Sequence, residues 1–222
     1  MMPFAGGPDS LANGTLLLSV VAALLYLPVQ GRAPSLRRSL VKTAATALLA
    51  VLAFIEGGPL LLIAALALGA AGDFFLSRDG EAAFLAGLAS FLAAHIAYVP
   101  LFLSAGGGME MLAWQPWRLG LAVVAVIGAA LLLYRLIPAV ESRMRAPVVL
   151  YTAAILAMLL AAATVPSPVI LVGAILFVVS DSLLAVGRFL MPPDSPRQRP
   201  TGAAVWVFYY LAQAAIALGF LL

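Results

Sequence analysis

Long apolar runs, separated by short gaps that collect nearly all the charge, constrain this chain more than any other feature. A helix that crosses a bilayer needs roughly 20 mainly apolar residues. Runs of that kind lie at about 14–30, 37–55, 59–76, 82–104, 118–134, 147–163, 168–187 and 202–221. Pro and Gly punctuate the intervals, at Pro34, Gly57-Gly58-Pro59, Gly106 to Gly108, Pro116, Pro147, Pro166, Pro168, Pro192-Pro193 and Pro196. Only 9% of the residues are charged, where soluble domains carry roughly 25%, so lipid is the expected solvent. Strands of alternating polarity are absent, which leaves a helix bundle as the class that satisfies every backbone group in hydrocarbon. The expectation is an all-α, polytopic bundle of about eight transmembrane helices that uses residues 1–222 as a single transmembrane domain.

Gap charge predicts the orientation. Arg32, Arg37, Arg38, Arg78, Arg135, Arg143, Arg145, Arg188, Arg197 and Arg199 fall in the gaps after the first, third, fifth and seventh runs. The other gaps hold Glu56 and Glu110, with Arg118 at one edge. Lys and Arg prefer the cytoplasmic side, so both termini are expected to face out. The same dispersal argues against a nucleic-acid partner, although the net charge is +3. No Lys or Arg precedes the first run, so no cleavable signal is expected. The absence of cysteine excludes disulfides and thiolate metal sites.

Ionisable groups inside a span cost several kcal/mol, on the order of 2.5–3.5 at its centre. Each therefore needs a reason. At 1.5 Å per residue, Asp73 lies about 7 Å and Asp181 about 10 Å below the inner surface marked by Arg78 and Arg188. Lys42 and Tyr151 enter their own spans to a similar depth. Four helices thus place two carboxyls, a cation and a phenol in one layer of the inner leaflet. Gly69-Ala-Ala-Gly72-Asp73 and Val178-Val-Ser180-Asp181 each set an Asp after a small residue, about half the chain apart. A parallel four-plus-four repeat, with halves of about 1–108 and 109–222, would bring the two carboxyls towards one axis. In the fourth run Phe84, Gly87, Phe91, His95 and Tyr98 recur every three or four residues and share a helical face.

Plainer readings accompany each residue. Lys42 and Tyr151 also fit snorkelling towards headgroups. Asp73 also fits a helix-end residue paired with Arg78 or Lys42. His95 and the aromatic residues of the stripe also fit packing, and Gln213 a bond between helices. One His and two carboxylates at suitable depth are too few for a zinc site, so no metal or other cofactor is expected. Adjacent helix positions point in different directions, so Ser180 beside Asp181 is no nucleophile–base pair. Two carboxyls in a low-dielectric cavity tend to separate into a protonated acid and an ionised base, the pairing that cleaves acid-labile C–O bonds. A lipid held at that depth would present its glycerol–chain linkage to them, with Lys42 near its phosphate. A proton-coupled transporter of a lipid or small solute uses the same groups, with an Asp as proton carrier. The physics alone leaves both open.

Three motifs carry a resemblance over nearly the whole chain. Leu68-Gly69 with Gly72-Asp73 and Leu76, then Phe84-x-x-Gly87-x-x-x-Phe91-x-x-x-His95-x-x-Tyr98, then Gly173-Ala-x-Leu-Phe177-x-x-Ser180-Asp181 resemble the YhhN family of membrane proteins. Lys42 and Tyr151 fit the same pattern. The resemblance implies hydrolysis of the vinyl ether bond of lysoplasmalogen, or of a related ether lysolipid, to a fatty aldehyde and a glycerophospho-headgroup. It implies Asp73 and Asp181 as catalytic carboxyls. Lys42, His95, Tyr98, Phe91, Tyr151 and Ser180 are the binding or orienting residues it suggests. The Ala- and Arg-rich chain reads as bacterial, which points to the inner, cytoplasmic membrane.

Overall fold

The structure is a computed structural model that describes residues 2–7 and 9–222. Among the described residues the chain is helical throughout and has no strand. The helices are α1 (Leu11–Tyr26), α2 (Leu36–Ile55), α3 (Leu60–Leu76), α4 (Glu81–Ala105), α5 (Gly108–Trp114), α6 (Trp117–Ala139), α7 (Ser142–Ala162), α8 (Pro168–Ala185) and α9 (Gln198–Leu221). A π-helical turn, Val186–Leu190, continues α8.

Local chemistry starts several of them. Ser10 accepts from the Asn13 amide at the head of α1, and Ser35 from the Arg38 amide at the head of α2. Pro168 opens α8 at a position where a missing N–H costs nothing.

Each expected span falls on one of these helices. Six of them are long and apolar enough to cross a membrane: α2, α4, α6, α7, α8 with its π turn, and α9. The chain is thus an integral membrane helix bundle. α1 and α3, with 16 and 17 residues, are shorter, so length and composition alone support six of the eight crossings. The ends of α6 and α7 depart from expectation. α6 runs on to Ala139 through Arg135 and Pro138, and α7 begins at Ser142, before Arg143, Arg145 and Pro147. Charged side chains near a membrane surface reach out to water without ending the helix that carries them. α5 was not foreseen; none of its residues is buried. Trp114 and Trp117 at the α5–α6 junction are exposed, as suits a membrane–water interface.

The chain divides into two compact units: residues 1–98 with 213–222, and residues 99–212. α4 and α9 each contribute to both. In the first unit α1 packs on α2 and α2 on α3. α3 and α4 meet closely. A Cβ on Gly72 would lie 2.6 Å from a ring carbon of Phe91, and one on Gly87 2.7 Å from Leu76. The two glycines let a ring and a branched side chain fill the space that a methyl would take.

In the second unit α6 packs on α7 and α7 on α8. Arg118 is 1% exposed there. Its guanidinium donates to the carbonyls of Ala163 (2.9 Å), Val165 (2.6 Å) and Pro166 (3.3 Å), and to Gln115 Oε1 at 2.9 Å. Helix C-termini leave carbonyls unpaired and carry partial negative charge. The basic residue that interrupted the gap pattern is therefore a cap for the segment after α7.

Candidate functional site

Each unit holds one of the two aspartates. Asp73, on α3, is fully buried. Lys42 Nζ on α2 lies 3.3 Å from Asp73 Oδ1, with the lysine side chain 13% exposed and that of the aspartate 1%. Thr46, one turn along α2, donates to Asp73 Oδ2 at 2.8 Å. One helix thus places a cation and a hydroxyl on the two oxygens of one carboxylate. The Tyr26 ring of α1 lies 5.8 Å from Lys42 Nζ, within cation–π range. Of the two partners weighed for Asp73, Lys42 is the one it meets.

Further along the same seam the Ser77 hydroxyl lies 2.7 Å from that of Ser39. Ser19 of α1 donates to the Ala45 carbonyl of α2 at 2.7 Å. The stripe of α4 faces inward: Gly87, Phe91, His95 and Tyr98 are all buried. Tyr98 donates to Gln213 Oε1 on the last turns of α9 at 2.5 Å, the interhelical bond expected of Gln213.

In the second unit the Tyr151 hydroxyl of α7 donates to Asp181 Oδ2 of α8 at 2.5 Å. Tyr151 therefore meets a carboxyl. Ser180 donates to the Val205 carbonyl of α9 at 3.0 Å, a bond that ties two helices. Phe177, one turn before Asp181, packs edge-on against Tyr209, with centroids 5.5 Å apart. Trp206 stacks with Tyr210 at 6.1 Å. Among the described residues no three His, Cys, Asp or Glu side chains cluster as metal ligands would.

The structure adds residues that the sequence reading passed over. Thr46 lies four residues after Lys42, and that spacing is a usable signal. Trp206, Tyr209 and Tyr210 stand at the three-and-four spacing of the α4 stripe, on the face that also carries Gln213.

The YhhN family profile matches residues 37–220, most of the chain. The chain belongs to the YhhN family. The match takes in every candidate residue of both clusters and leaves α1 outside it. This YhhN protein is 30% identical over 163 residues to proteins named lysoplasmalogenase from Mycobacterium bovis and Mycobacterium tuberculosis. That alignment spans 72% of the chain but 59% of the length of each relative. No solved structure matches it.

Proposed function

We propose that this YhhN protein is a membrane-embedded hydrolase that cleaves the vinyl ether bond of lysoplasmalogen, or of a related ether lysolipid, in the cytoplasmic membrane of a bacterium. The products are a fatty aldehyde and a glycerophospho-headgroup. The observation that carries the reading is chemical. In each unit a polar group on a neighbouring helix engages an aspartate on an apolar helix, and two carboxyls in different surroundings are what an acid–base reading requires. The similarity to two lysoplasmalogenases supports the choice of substrate class. The gap charges support an orientation with both termini outside.

Asp181 is the acid in this scheme. Its proton goes to the vinyl β-carbon, a C–H bond forms, and the ether becomes an oxocarbenium ion. Asp73, ion-paired with Lys42, is the base. It takes a proton from water as the water oxygen bonds to the α-carbon. As the hemiacetal C–O bond breaks, Asp73 returns its proton to the glycerol oxygen, which leaves as an alcohol. Asp181 takes the hemiacetal hydroxyl proton, and the aldehyde is released with both carboxyls reset. Tyr151 orients the Asp181 carboxyl through its hydrogen bond. His95 orients the water or the enol ether, and Phe91 and Tyr98 line the path of the alkyl chain.

Aldehyde release from lysoplasmenyl-ethanolamine by the purified protein in detergent tests this reading. Release is expected without any gradient, and none is expected from a saturated-ether lysolipid. Asp73→Asn and Asp181→Asn should each lower it by at least about a hundred-fold. Full turnover in both variants would remove the carboxyl mechanism. Movement of the lipid or a solute only in sealed vesicles under a proton gradient, with no aldehyde formed, would favour a transporter.

A further inference from the structure

α2 presents Ser39, Lys42 and Thr46 on one face, and α3 presents Asp73 and Ser77, one turn apart, on another. The contacts run in register. Ser39 meets Ser77, Lys42 meets Oδ1 of Asp73, and Thr46 meets Oδ2. A threonine inside a helix commonly satisfies its hydroxyl on the carbonyl four residues back. Thr15 does so on Leu11 and Thr152 on Val148. Thr46, fully buried, directs its hydroxyl across the helix interface to a carboxylate.

We propose that Thr46 is a positioning residue for Asp73. With Lys42 on one oxygen and Thr46 on the other, the carboxylate is held in one rotamer. Its plane is set and the direction from which it takes a proton is defined. Lys42 then serves as the charge partner of the base. The functional side of this inference rests on the reading of Asp73 as the base, whereas the clamp itself concerns only how two side chains hold a third.

Thr46→Val keeps the shape of the side chain and removes the donor, and Thr46→Ser restores a donor. Hydrogen bonds to charged groups are strong enough that Thr46→Val should lower kcat roughly ten- to hundred-fold. KM should stay within about two-fold, since a misaimed base acts on the transition state rather than on uniform substrate binding. Thr46→Ser should recover most of the loss. A serine variant as impaired as the valine one, or a loss confined to KM, would overturn the proposal.

A second measurement does not depend on turnover. Thermal unfolding in detergent is followed for Thr46→Val, Asp73→Ala and the double variant. Coupled residues give non-additive shifts, so the valine substitution should lower the midpoint much less in the alanine background. Additive shifts would overturn the clamp even if the wild type is active. A wild type that releases no aldehyde but shows non-additive shifts would remove the hydrolase reading and leave the clamp standing.

Discussion

Asp73 on α3 and Asp181 on α8 are carboxyls on apolar helices, but their neighbours differ in kind. Asp73 is ion-paired with a cation and accepts from a hydroxyl, both supplied by α2. Asp181 accepts from a phenol supplied by α7. A nearby ammonium favours the charged form of a carboxyl, whereas a neutral phenol can remain its partner whether the carboxyl holds a proton or not. The contrast teaches how one residue type can be set to two tasks. It is the reason for proposing Asp73 as the base and Asp181 as the acid.

The harshest way to break the contrast is to remove either carboxylate. Asp73→Asn and Asp181→Asn should each lower aldehyde release by about 10²–10⁴-fold, the range expected for general acid–base catalysis. A single-turnover aldehyde assay checks this, and two variants of very unequal activity would mean that one carboxyl is structural.

Lys42→Met probes the charge side of the comparison. Removing one partner of a buried ion pair leaves the other uncompensated, at a cost of about 3–5 kcal/mol. The unfolding midpoint of Lys42→Met should therefore fall well below that of the Lys42→Met/Asp73→Asn double variant. Tyr151→Phe probes the phenol side. It removes a donor without removing a charge, so turnover should drop roughly ten-fold or more while the unfolding midpoint falls clearly less than in Lys42→Met. A stability loss as large as that of Lys42→Met would show that the two clusters do not differ in kind.

Packing gives a milder test of the same pair of units. Gly72→Ala should lose about 1–3 kcal/mol, because its Cβ would lie 2.6 Å from the Phe91 ring. Gly120→Ala and Gly128→Ala on α6 meet nothing within 4 Å and should leave the unfolding midpoint unchanged or slightly raised. Ser180→Ala has the smallest expected effect among the polar residues of the two clusters. It should cost about 1 kcal/mol for one lost bond to Val205 and leave kcat within about two-fold.

Much of both clusters was legible because charge in an apolar helix has few explanations. Lys42, Asp73, Tyr151 and Asp181 stood out on those grounds, and each now has a defined partner. Thr46 did not stand out. Hydroxyl residues are common in apolar helices and can bond to their own backbone, as Thr15 and Thr152 do, so composition cannot separate them from Thr46. Arg118 misled in the opposite direction. A guanidinium near a helix end reads as loop charge, and only the fold of the 163–166 segment shows it buried against carbonyls. The π-helical turn at Val186–Leu190 had no signal in periodicity, since a single wider turn leaves the apolar pattern intact.

The amino-acid sequence alone determined the solvent, the helical class and the short roster of side chains that require partners. In hydrocarbon each backbone must satisfy itself within its own helix, and each ionisable group is too costly to leave without a role. Tertiary structure decided which partner each group has. The rotation of one helix against another depends on shape, such as the Phe91 ring in the space beside Gly72. That packing carried Thr46 to a carboxylate 27 residues away.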